Sequence, residues 1–490
     1  MEENTIELKE KNITEAEADF LRNSEIRNGR LIRYYGKRTE IVIPESVGTI
    51  AAEAFRKNRK LTKVVLGANV TMIQPNAFRD CAMLQQVSFP SGLREIGENA
   101  FLGCTSLGTV LLPRTVTTLG DGCFRSCAAL RRVVLPAELS HIGRFAFCDC
   151  ENLEEVEIPA QIKNIHGATF FNCRSLKSVI LPQQLETVGR YAFGRCSALT
   201  DITFPNATIY IGIGVFSECT SLRDVKLPDA IHFVGDYTFS CCESLESVTL
   251  PPQLNYIGNA AFCACKKLKH IELPEKITRI GNSAFYGCMS LESVRIPSRT
   301  QDVSNAAFSY CSSLKSVQID ASLTELEESL FTGCMSLETV TIPESVEKIE
   351  ANVFRDCVSL RSIQMSKKLQ IIDENAFFGC CNLEEISLPS SLKSLGNASF
   401  AECSQLKIAV LPNSRVKVGK NVFAGCESLE TVVSDDKRVL SRPRLLALGV
   451  PAKAQVISHS DLEEALLYAE LASPTVSPER KQELETLLKK

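Results

Sequence analysis

The sequence predicts an α/β solenoid: a parallel β-ladder with short helical or 3₁₀ convex turns, built from 17 repeats of 23 residues and closed by helical caps. Three observations predict it. A phenylalanine returns every 23 residues from Phe55 to Phe423, seventeen times without an insertion or deletion. A fixed period of about 20–50 residues marks repeats that bury their apolar side only against their neighbours. Each repeat carries a short strand pattern ended by proline, and sixteen repeats close on a cysteine three residues after the phenylalanine.

With the phenylalanine set at position 18, the repeat that starts at Leu107 has Leu107 at 1, Val110 at 4, Leu112 at 6, Pro113 at 7, Val116 at 10, Leu119 at 13, Gly120 at 14, Phe124 at 18 and Cys127 at 21. Positions 4 and 6 lie two apart and share one side of a strand, while 3 and 5 point to the other. Proline at position 7, in fourteen of seventeen repeats, removes an amide donor and ends the strand. Glycine at 14 suits a tight change of direction. The Ala-Phe-x-x-Cys stretch reads as one helical or 3₁₀ turn. Positions 1, 4, 6, 10, 13, 17, 18 and 21 are the expected core.

The segment LESVTLPPQLNYIGNAAFCAC (245–265) is similar to the leucine-rich-repeat class called BspA-like, or Treponema pallidum-type, and residues 27–47 resemble the lead-in such arrays carry. The resemblance covers residues 38–434, more than four fifths of the chain. It implies a bacterial or protist protein that uses the array to recognise proteins or surfaces.

The predicted domains are an N-terminal helical cap (1–25), the solenoid (26–435) and a C-terminal helical cap (436–490). Thr14 with Glu17 reads as a capping box for a helix from Glu15 to Leu21. Ser460 with Glu463 reads as a second, and Ser477-Pro478 opens a last helix carrying Leu484, Leu487 and Leu488. Such helices either cover the end of the array or bind a partner or a second copy. A monomer is the expected state.

A net charge of −4 and the lack of any recognised module argue against nucleic-acid binding. No run of 18 apolar residues spells a membrane span, and the acidic, polar first twenty residues do not read as a signal peptide, so a cytoplasmic location is expected. Catalysis is not expected: no phosphate loop, nucleophile elbow or metalloprotease helix is present. The cysteines at position 21, with Cys123, Cys148, Cys241, Cys263 and Cys381 beside them, read as a ladder of buried free thiols. Five scattered histidines give no metal set, and His141 and His166 stand at different repeat positions. No cofactor is expected.

The exposed rows are where such an array varies. Position 5, on the inner surface, carries Val42, Val65, Leu111, Val134 and Ile180 in its early repeats and turns largely polar later, with Arg131, Arg132 and Arg114 beside Leu111 and Val134. An apolar strip rimmed by charge has the character of a recognition site; the same β-branched residues also simply favour strands. Position 12 is mostly polar but becomes Tyr210, Phe233 and Tyr256 in three consecutive repeats, either an aromatic contact ladder or a lid on the core edge. The candidate partner-binding residues are therefore Tyr210, Phe233, Tyr256, Leu111, Val134, Ile180, Arg131 and Arg132, and the expected partner is a protein. The alternative roles are a surface adhesin for extracellular protein or glycan, and a structural spacer that dimerises through the C-terminal helices.

Overall fold

The computed structural model describes residues 15–412, 416–435, 441–462, 467 and 480. The chain forms two compact halves, Met1–Gln253 and Leu254–Lys490. Both are parallel β-solenoids made from the same 23-residue turn, and each turn has three sides.

The first side is the expected strand. In the N-terminal half it spans Glu40–Val42 and its successors up to Ser247–Thr249, with neighbours paired parallel and in register, as Val110 with Val133 and Leu111 with Val134. Position 4 is buried and positions 3 and 5 are exposed in most turns, because side chains alternate across a strand. In the C-terminal half the same strand recurs from Ser293–Ile296 to Thr431–Val433.

The second side is a two-residue strand at positions 12 and 13, such as Thr118–Leu119 paired to Glu95–Ile96 and His141–Ile142. Glycine at 14 lets neighbouring turns approach closely here. A Cβ built on Gly120 would lie 2.6 Å from the backbone nitrogen of Glu98 in the preceding turn. Close approach, rather than a tight bend, is what the glycine supplies.

The third side corrects the expected helical or 3₁₀ turn. Among the described residues it carries no assigned helix; instead positions 16 and 20 adopt left-handed backbone, as Asn76 (φ 59°) and Asp80 (φ 60°). Alternating hand turns the amides at 16, 18 and 20 toward the next turn, so Asn76 N donates to Glu98 O, Phe78 N to Ala100 O and Asp80 N to Leu102 O. The amides between them close short turns within the repeat, as Ala77 N to Gln74 O and Arg79 N to Asn76 O. This side is thus a third ladder between turns, which leaves few amides for a helix.

The core is a column of phenyl rings. In the N-terminal half Phe55 and Phe78 stack with centroids 4.7 Å apart and planes 5° apart, and the series continues through Phe216–Phe239 at 5.6 Å. In the C-terminal half it runs from Phe262–Phe285 at 5.2 Å to Phe400–Phe423 at 6.1 Å. Beside it the position-21 thiols donate to the carbonyl of the phenylalanine one repeat back, in the N-terminal half from Cys81 to Phe55 O (3.1 Å) through Cys242 to Phe216 O (3.1 Å), and in the C-terminal half from Cys288 to Phe262 O (3.1 Å) through Cys426 to Phe400 O (3.1 Å).

The helix Glu15–Arg22 and the antiparallel hairpin Ser24–Arg27 with Arg30–Tyr34 precede the first repeat. Phe20 is buried and stacks on Tyr34 at 5.3 Å, and Tyr34 meets Phe55 at 5.4 Å, so the lead-in extends the ring column. Thr14, the expected cap of this helix, lies outside the described residues.

The C-terminal region departs from a purely helical cap. The helix Arg442–Ala447 is followed by a strand, Gln455–Ile457, that pairs parallel with Thr431–Val433 and adds one more turn to the sheet. Asn421 N and Phe423 N donate to the carbonyls of Ala447 and Leu448, which continue the third ladder. The following helix is capped by Ser458, whose Oγ accepts from Asp461 N at 3.1 Å while Asp461 returns a carboxylate to Ser458 N at 3.0 Å. Ser460, the expected cap, already lies inside that helix. Glu463 and the last expected helix, from Ser477 onward, lie outside the described residues.

Candidate functional site

In the N-terminal half, strand alternation places the position-5 row in solvent. Leu111 is 61% exposed, Val134 40% and Ile180 62%. Leu111 and Val134 are register partners on adjacent strands, whereas Ile180 pairs with Glu157, so a carboxylate interrupts the apolar strip. Two shallow hollows open along this face. One is lined by residues including Lys63, Gln86, Ser88, Phe89 and Leu111, the other by residues including Arg132, Val134, Glu155, Glu157 and Ile180.

Arg114, Arg131 and Arg132 are exposed, and among the described residues none of them makes an ion pair or a side-chain hydrogen bond. Nearby charges are committed: Lys177 bridges Glu154 at 3.4 Å, and Arg125 approaches Asp149 at 3.7 Å while lying over the Phe145 ring. The three free guanidiniums therefore offer full donor sets to an incoming acceptor.

The aromatic row divides between the halves. In the first, Tyr210 is 39% exposed and meets the half-buried Phe233 edge to face, with centroids 5.9 Å apart and planes at 67°. This is a packed pair rather than a flat stack, and it leaves part of each ring in solvent. Tyr256 belongs to the C-terminal half, where the Arg279 guanidinium lies 5.9 Å from its ring centroid.

Several exposed apolar side chains were not among the expected site residues. Ile209 flanks Tyr210 and is 59% exposed, and Phe145 and Tyr237 stand out from left-handed position 16. In the C-terminal half Tyr286 and Tyr310 meet at 5.2 Å beside the exposed Met289 and Met335. Apart from Ile209 in row 11, their signal was present in rows 16, 19, 20 and 22, which look like interior turn positions until the backbone hand is known.

His141 and His166, which stand at different repeat positions, are brought together. Positions 12 and 14 of consecutive turns adjoin, and the rings sit 5.3 Å apart at 54°. Burial, then His141 and Arg144, hold the His166 imidazole below its ordinary value. In the other half, burial and the neighbouring Glu325, Asp302 and Glu350 hold the Glu327 carboxyl above the usual range. Lys348 donates to the Glu350 carboxylate, which holds that ammonium above its ordinary value. Burial holds the Cys81 thiol up to about 12 and pushes the thiols of Cys150, Cys173 and Cys334 up as well. Among the described residues no group of three or more His, Cys, Asp or Glu side chains is placed to hold a metal ion, and no helix is long and apolar enough to cross a membrane.

Residues 32–154, 140–251, 232–358 and 324–439 match the family described as BspA type leucine rich repeat region, six copies. Among solved structures, a leucine-rich repeat protein from Bacteroides ovatus is 25% identical over 88% of this chain and 94% of its own, with a TM-score of 0.47. The T. pallidum leucine-rich repeat protein is 34% identical over 39% of this chain and 82% of its own, at 0.33. A leucine-rich cell surface protein from Faecalibacterium prausnitzii is 22% identical over 86% and 93%, at 0.38. No curated protein matches.

Proposed function

Because this chain belongs to the BspA-type leucine-rich-repeat family, we propose that it is a non-catalytic recognition scaffold that binds a protein through the position-5 row of its N-terminal half. The observation that carries this reading is the conjunction of solvent-exposed Leu111, Val134 and Ile180 with three exposed arginines that have no partner among the described residues. The chemistry fits a partner that offers apolar side chains to the hollows and carboxylates to the arginine rim. The strands fix these side chains in advance, so little ordering entropy is lost on binding.

The test is capture from the source cells and their medium with the native chain, Leu111→Glu, Ile180→Glu and Phe233→Ala, followed by titration calorimetry on each recovered partner. A buried anchor at this face should lose about 30-fold in affinity or more on Leu111→Glu or Ile180→Glu, the ~2 kcal/mol of a hot spot, and stay unchanged with Phe233→Ala. Arg131→Ala with Arg132→Ala should slow association, an effect that fades at high salt. A partner indifferent to Leu111→Glu and Ile180→Glu but lost with Phe233→Ala would move the site to the Tyr210–Phe233 pair, whose exposed edges favour it as the second reading.

A further inference from the structure

Nearly identical turns raise a folding problem. If one repeat loops out and the turns on either side of it join, phenylalanine still stacks on phenylalanine and each thiol still finds a carbonyl. The core cannot tell a neighbour from a next neighbour. Only rows that differ between turns can.

In the C-terminal half, position 2 differs with a strict rhythm: Lys269, Glu292, Lys315, Glu338, Arg361, Glu384, Lys407 and Glu430 alternate in sign through eight consecutive repeats. Their backbones adjoin turn by turn, as Lys315 N to Glu292 O at 2.9 Å and Arg361 N to Glu338 O at 2.9 Å. Side-chain ion pairs form along the row, Lys315 with Glu292 at 3.8 Å and Lys407 with Glu384 at 3.1 Å. Position 3, one residue on, has no such order: Ser293, Ser316, Thr339, Ser362, Glu385, Ile408 and Thr431. Solubility needs a mixture of charges and is indifferent to their sequence. Alternation matters only to the difference between adjacent turns and turns two apart.

We infer that the position-2 row is a register device that disfavours skipped repeats during folding. All seven neighbouring pairs in the row are of opposite sign, and all six next-neighbour pairs are of like sign. Joining any turn to the one beyond its neighbour sets Glu on Glu, or Lys on Lys or Arg, at strand separation. The skipped state also buries one repeat less, so it is a trap on the folding path rather than the ground state. The N-terminal half carries a shorter form of the same row, Arg131, Glu154, Lys177, Thr200, Arg223 and Glu246, with threonine where the rhythm calls for an acid.

The decisive variant is Lys315→Glu with Glu338→Lys in the full chain. It keeps composition and net charge, yet makes Glu292 and residue 315 alike, residue 338 and Arg361 alike, and every skip across these sites opposite in sign. The neutral control, Lys315→Gln with Glu338→Gln, removes the Lys315–Glu292 ion pair and both charges without favouring either register. Each protein is unfolded in urea, refolded at low salt and at about 1 M salt, and followed by circular dichroism. Pulse proteolysis with mass spectrometry then looks for cleavage confined to one 23-residue stretch within 293–360. At low salt the swapped chain should show a slow-refolding, nicked fraction on the order of tenfold above both the native and the neutral chains, because several exposed pairs change sign at once. High salt should erase the excess. Equal refolding of the swapped and neutral chains would overturn the inference, since lost ion pairs alone would move both alike. If the swapped chain refolds at neither salt, a chain with all eight signs inverted decides: native-like refolding supports the inference and misfolding refutes it.

Discussion

Replacing Cys173 by alanine and, separately, by serine asks why the thiol ladder is made of cysteine. Cys173 is fully buried, and its Sγ donates to Phe147 O at 3.2 Å. That carbonyl already accepts Cys150 N at 3.2 Å, so losing the thiol leaves no orphaned acceptor. Alanine removes one heavy apolar atom and leaves a small void, which costs about 1–2 kcal/mol by the transfer and cavity terms together; the weak thiol donor adds little. Serine keeps a donor, but its shorter bond holds the hydroxyl farther from Phe147 O. Desolvating that hydroxyl costs about 1–3 kcal/mol, and a stretched hydrogen bond returns only part of it. The expected order of stability is therefore native, then alanine, then serine. Urea unfolding followed by circular dichroism measures it, provided the slopes agree so that midpoints compare like with like. A serine variant as stable as the native chain would refute the reasoning, because the position would then be selected as a donor and not as an apolar filler that happens to donate.

Three further outcomes are expected. Alkylation of the folded protein near pH 8 should modify at most Cys241, Cys263 and Cys381 quickly, the half-exposed thiols, with the remaining cysteines reacting only on opening, as counted by intact mass. His166 titrates below its unfolded value, so the unfolded chain binds the extra proton, and stability should fall as pH drops below about 6.5. His166→Gly, which restores the row's common residue, should flatten that part of the stability–pH curve. Adjacent alanines should respond oppositely to glycine. Ala306→Gly, at φ 54°, relieves a left-handed residue and gains up to about 1 kcal/mol, while Ala307→Gly loses about 1 kcal/mol or more. Thermal or urea midpoints of the two variants check this, and a shift of the same sign in both would contradict the backbone assignment.

The fold was legible wherever one residue type answers one geometric demand. Phe124 and Cys127 recur because a stacked column admits little else, and Val110 with Leu112 betray the first strand by their spacing. The second strand is too short to show a period: Leu119 is its one buried residue, and Thr118 beside it varies freely from turn to turn. The left-handed positions were obscured because Ser126, Tyr237 and Ala398 share those rows with glycines such as Gly103, Gly122 and Gly333, so no single residue type announces the hand. The added C-terminal turn lacks both phenylalanine and cysteine, so Val456 gave no hint of pairing with Val432. Among the candidate site residues, the exposure of Leu111 and Ile180 followed from alternation alone. The isolation of Arg131 and Arg132 did not, since it depends on which carboxylates reach them. The contact of His141 with His166 was missed by comparing like positions only, when adjacent turns also meet at unlike ones.

The third ladder is polar along its length. Its amides at positions 16, 18 and 20 all face the following turn, so an uncovered first turn would present a bank of carbonyls and an uncovered last turn a matching bank of amides. Such ends are complementary to each other, and a bare array of this kind would be a monomer for head-to-tail filament growth. Tyr34 N on Ala54 O at one end, and the carbonyls of Ala447 and Leu448 on Asn421 N and Phe423 N at the other, act as chain terminators. Shortening the protein to its repeats alone would therefore uncover both banks and favour head-to-tail association.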